Sequence, residues 1–137
     1  MKRLSLLAIF FAICLMPIIM IGDDGKCIEG DCLNGHGTMV FSDGSMYQGQ
    51  WEDGIFNGQG TLTMADHWKY KGGWKDGERH GRGTMIEFGG IKYVGDWKNG
   101  VRHGRGYEKN SLGFEMEGFW VNGIFVGLEK PQELEEK

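Results

Sequence analysis

Two segments hold the side chains best suited to chemistry. Arg79-His80-Gly81-Arg82-Gly83 recurs 23 residues later as Arg102-His103-Gly104-Arg105-Gly106. If the chain stacks these segments, Arg79, His80, Arg82, Arg102, His103 and Arg105 form a basic ladder along one edge. Guanidinium forks match phosphates and carboxylates, so such a ladder fits an anion or an acidic partner surface. The other reading is that these are ordinary solvated residues of a repeating scaffold. Asp76, Glu78 and Asp96 lie close enough in sequence to neutralise part of the ladder.

Catalytic chemistry finds little to use. The histidines are His36, His67, His80 and His103, and the last two recur with the repeat, which points to a structural role. No Cys/His pairing, metal-ligand spacing or GxSxG elbow is present. The glycine motifs are not followed by Lys-Ser/Thr and a helix, as a phosphate loop requires. The expectation is therefore no enzyme, no cofactor and no metal. Cys27 and Cys32 have four residues between them. In an oxidising compartment they can form a small-loop disulfide, with free thiols as the alternative. Zinc would need two further ligands, and only His36 is near.

The elements that must position these groups come from an internal repeat. Trp51, Trp74, Trp97 and Trp120 are 23 apart, as are Tyr47, Tyr70 and Tyr93, with Met116 in the fourth place. Gly49, Gly72, Gly95 and Gly118 keep the same step, and so do the columns begun by Gly54, Gly58 and Gly60. Gly35 and Gly37 belong to a leading half-unit. In Tyr47-Gln48-Gly49-Gln50-Trp51, alternation places Tyr47, Gly49 and Trp51 on one face of a strand. Asp53-Gly54, Asp76-Gly77 and Asn99-Gly100 then read as tight hairpin turns. The return strand puts Gly58, Gly60, Leu62 and Met64 on one face. A second set of turns falls at Asp43-Gly44, Asp66-His67, Gly89-Gly90 and Leu112-Gly113, where His67 is the unusual residue. Glycines on the aromatic face let the rings of one hairpin lie over the backbone of a neighbour. One such hairpin cannot stand alone, so several must stack. The first and last units replace the arginines with Ile55-Phe56-Asn57 and Ile124-Phe125-Val126, apolar tips that mark either a contact patch or the capped ends of the array.

Met1-Lys2-Arg3 followed by an apolar run from Leu4 to Ile21 reads as a signal peptide or a membrane anchor, a hydrophobic helix in either case. Cleavage and anchoring both remain open, and Cys14 makes a poor lipoprotein site. Residues 23–137 would then lie outside the cytoplasm. The formal net charge is −4, which argues against a nucleic-acid binder. The charge is uneven. Residues 69–105 carry 9 basic and 4 acidic side chains between two acidic flanks.

The unit Tyr-x-Gly-x-Trp-x-x-Gly-x-x-x-Gly-x-Gly resembles the MORN (membrane occupation and recognition nexus) repeat. The stretches 70–84 and 93–106 are close matches, and residues 27–38 look like the opening of small bacterial MORN proteins. The resemblance departs at His67, Met116 and Glu129, so the last unit reads as a degenerate cap. It implies an all-β fold, an elongated single-sheet antiparallel array of hairpins, and a binding role linked to membranes or assembly. It carries over no catalytic residue. The domain reading is 1–22 signal or anchor, 23–46 leading half-repeat, 47–128 four repeats (47–69, 70–92, 93–115 and a partial 116–128), and 129–137 a charged tail. The functional expectation is an extracytoplasmic scaffold for an unidentified protein partner, with an anionic lipid surface as the alternative.

Overall fold

The computed structural model describes residues 25–134 apart from residue 67. The apolar segment 1–22, read above as a hydrophobic helix, lies outside the described residues, as does His67. Among the described residues no helix is long and apolar enough to cross a membrane.

Ten antiparallel strands form one sheet in chain order, without a crossover. They are β1 (Lys26–Gly30), β2 (Gly35–Val40), β3 (Met46–Glu52), β4 (Ile55–Thr63), β5 (Lys69–Lys75), β6 (Glu78–Ile86), β7 (Lys92–Lys98), β8 (Val101–Lys109), β9 (Glu115–Val121) and β10 (Ile124–Gly127). Each 23-residue unit contributes two strands. The turns explain why. Asp53-Gly54, Asp76-Gly77, Asn99-Gly100 and Asn122-Gly123 all have positive φ at both residues. That is the type I′ geometry whose twist suits a two-residue hairpin, and Asp or Asn followed by Gly tolerates it best.

Cross-strand registers place glycine opposite glycine, at Gly49↔Gly60, Gly72↔Gly83 and Gly95↔Gly106. The tyrosine of the same hairpin lies over each pair. A methyl on Gly60 would sit 2.2 Å from the Tyr47 hydroxyl. The phenols of Tyr47, Tyr70 and Tyr93 donate to the carbonyls of Gln50, Gly73 and Asp96. Tyr47, Tyr70 and Tyr93 are fully buried, and Trp51, Trp74, Trp97 and Trp120 nearly so. Edge-to-face contacts carry the stack forward, from Tyr47 to Trp74, Tyr70 to Trp97 and Tyr93 to Trp120. The core is thus a line of rings along one face of one sheet.

Simple alternation misses one device. The register shifts between Gly49 and Trp51, and likewise at Gly72/Trp74 and Gly95/Trp97. The facing strands carry two extra residues there, with positive φ at Gly58, Gly81 and Gly104. At the N-terminal edge, a disulfide joins Cys27 to Cys32 across the base of the β1–β2 loop.

Candidate functional site

The six residues of the sequence ladder do not share an edge. Arg79 pairs across the hairpin with Trp74, and Arg102 with Trp97, so both lie on the aromatic face. The Arg79 guanidinium stands 4.6 Å from the Trp97 ring and 5.4 Å from that of Trp68. It donates to the Gly100 carbonyl at 2.6 Å and to the Met85 sulfur. Burial lowers its pKa, yet an arginine starts so high that it stays charged. Arg102 lies 4.7 Å over Tyr93 and is held between Glu87 and Glu108. Both guanidinia occupy the slot that Phe56 fills in the β3–β4 hairpin, stacked flat on Tyr47 at 3.7 Å. Phe125 fills it against Trp120. A planar group on the tyrosine–tryptophan row is what the slot selects. The expected apolar tips are therefore half inside: Phe56 and Phe125 pack, while Ile124 and Val126 stay exposed.

Arg82 and Arg105 point the other way. Their neighbours across the sheet are Asp96 and Phe119. Arg82 is exposed beside Asp96 at 3.6 Å, and Arg105 is exposed against Glu117 at 2.8 Å. His80 and His103 sit at the bulge. His103 accepts a long hydrogen bond from the Asn122 amide through Nδ1 (3.4 Å), which ties it to the next turn. Among the described residues no cluster of three or more His, Cys, Asp or Glu side chains is placed to hold a metal ion.

The charges segregate by face of the sheet. On β5–β8, Lys69, Lys71, Lys75 and Arg82, then Lys92, Lys98, Arg105 and Lys109, all stand exposed on the face opposite the rings, against the acids Glu78 and Asp96. Three shallow depressions of about 360, 430 and 370 Å³ run across this polar face from β2 to β9. The first and second share Gln59 and Lys71, and the second and third share Arg82 and Val94.

The two long rims differ as well. The Asp/Asn-Gly turns make one polar rim. The other rim is made of the turns between units, and it carries Phe88, Leu112 and Phe114, which are 82%, 91% and 67% exposed. These turns touch, since a methyl on Gly90 would lie 3.6 Å from the Ser111 Cβ. Sequence reading passed over this rim. Its signal was apolar residues at turn positions that ordinarily take polar ones.

The family model for the MORN repeat matches residues 33–46, 47–69, 70–86 and 93–109, more than half of the chain. No curated protein matches it.

Proposed function

The chain belongs to the MORN-repeat family, and from that premise we propose that it is a non-enzymatic scaffold that docks a protein partner through the rim bearing Phe88, Leu112 and Phe114. The exposure of these three tips carries the reading. Three large apolar side chains on adjoining turns are costly to leave in water, and such patches mark contact surfaces. Covering each one returns roughly 1.5–3 kcal/mol, which suits a contact of moderate strength. The sheet behind them is held together by its ring contacts, turns and glycine pairs. A place outside the cytoplasm fits the basic-then-apolar segment 1–22 and the Cys27–Cys32 disulfide.

A second reading, an anionic lipid surface, rests on one observation. Lys69, Ile86, Lys92 and Lys109 are successive cross-strand neighbours in a row beside the same rim. Lysines behind apolar tips suit a membrane surface. Arg79 and Arg102, occupied on the aromatic face, do not support it.

The test compares wild type with the triple variant Phe88→Ser, Leu112→Ser, Phe114→Ser after cross-linking in native membranes. Proteins that co-purify with wild type and vanish with the variant support docking by the rim. Unchanged recovery removes it. Rim-dependent sedimentation with phosphatidylserine vesicles, and no protein loss, favours the second reading.

A further inference from the structure

The three depressions on the polar face are copies of one site. Advancing 23 residues turns Gln48, Gln59 and Thr61 of the first into Lys71, Arg82 and Thr84 of the second. A further 23 gives Val94, Arg105 and Tyr107 of the third. Equivalent positions are two strands apart, so the sites recur every ~9.6 Å. A ligand that satisfies all three must have its own repeat of about that length, which makes it a linear polymer.

The chemistry narrows the polymer. Each repeat adds one hydroxyl, from Thr61, Thr84 or Tyr107, and one planar donor, from Gln59, Arg82 or Arg105. The central depression is the largest and joins Lys71 to Arg82 with no acid in its lining. Asp96 and Glu117 line the third depression, each in an exposed ion pair with Arg82 or Arg105. Pairs of that kind are worth ~0–1 kcal/mol, so an arriving carboxylate can exchange with them.

We propose that this trough binds a linear anionic polysaccharide that lies across the strands, one disaccharide per hairpin, with uronate carboxylates near Lys71, Arg82 and Arg105. A disaccharide of an extended chain is about as long as one hairpin is wide. A peptide fits less well. Extended polypeptide advances ~3.3 Å per residue, so it would need an acid at every third position. It would also find little apolar core, because only Val94 and the Tyr107 ring supply one. The trough and the apolar rim are separate surfaces, so this inference stands independently of protein docking.

The experiment titrates the full-length protein with oligogalacturonates of two, four and six sugars at physiological salt. Neutral oligosaccharides of equal length and polyglutamate serve as comparisons. The hexamer should bind at least about tenfold more tightly than the dimer, a step of ~1.4 kcal/mol. Lys71→Gln with Arg82→Gln should weaken the hexamer about tenfold, while Lys98→Gln, on the same face outside the trough, should change it less than about twofold. Four results would each overturn the proposal: no hexamer binding, equal affinity for dimer and hexamer, equally tight binding of a neutral chain or polyglutamate, or equal losses from Lys98→Gln and the trough variant.

Discussion

The indole nitrogen of Trp74 donates to the carbonyl of Gly60, 3.2 Å away on the preceding hairpin. Trp51 does the same to Gly37 at 3.1 Å, and Trp97 to Gly83 at 3.4 Å. Each of these three tryptophans thus belongs to one hairpin and is fastened to the one before. At Trp74 and Trp97 the repeat couples neighbours by both a hydrogen bond and a ring contact. Stability should therefore reside in these junctions more than in single hairpins.

Two glycines two residues apart separate crowding from backbone strain. A methyl on Gly83 would meet the Tyr70 hydroxyl at 2.3 Å, and Tyr70 is fully buried. Gly81 has φ +71 and open space around it. Gly83→Ala should cost about 3 kcal/mol, and Gly81→Ala about 1 kcal/mol. Urea unfolding of the two variants measures both. Equal costs, or the reverse order, would show that the rings do not depend on bare glycine.

The planar slot predicts unequal arginines. Arg79→Phe recreates the arrangement of Phe56 on Tyr47 and should stay within about 1 kcal/mol of wild type. Arg102→Phe strands Glu87 and Glu108 beside each other and should cost about 2 kcal/mol. Thermal unfolding distinguishes the two. If Arg79→Phe is the worse variant, the bond to Gly100 matters more than the slot.

The buried phenols set an alkaline limit. Burial raises the pKa of Tyr47, Tyr70 and Tyr93, and that of Tyr70 reaches about 12 although Arg79 opposes the shift. In the unfolded chain these groups ionise near pH ~10. The fold keeps the proton longer, so this contribution is complete below pH ~10 and is lost as pH rises through the folded values. Circular dichroism should hold to pH ~10 and fall above it, with phenolate absorbance rising in the same transition. Independent tyrosine titration near pH ~10 with the fold intact would contradict this.

Reducing the Cys27–Cys32 bond should loosen one end of the sheet only. Closing so short a loop is worth about 2 kcal/mol in the chain-entropy picture. Hydrogen exchange should quicken in β1 and β2 and remain unchanged from β5 to β9. Uniform acceleration would mean that the disulfide holds the whole array.

The 23-residue columns made the strands, the tight turns and the aromatic face readable in advance, because a period-two pattern and Asp/Asn-Gly pairs act locally. The ladder was misread for a reason the same rule contains. Arg79 and Arg82 are an odd number of residues apart, so they face opposite ways on a strand. The bulge was hidden, since an insertion of two residues preserves that parity. The trough was beyond a linear reading. It needs side chains from several strands, and only the register shows that Lys71 and Arg82 border one depression.

The most direct test of the scaffold reading places a photo-cross-linking phenylalanine analogue at position 88, 114 or 99 in the native cell. Positions 88 and 114 lie on the apolar rim, and 99 lies on the polar one. Discrete protein adducts are expected from 88 and 114 and none from 99. No adducts at the apolar rim, or the same adducts from all three positions, would contradict it.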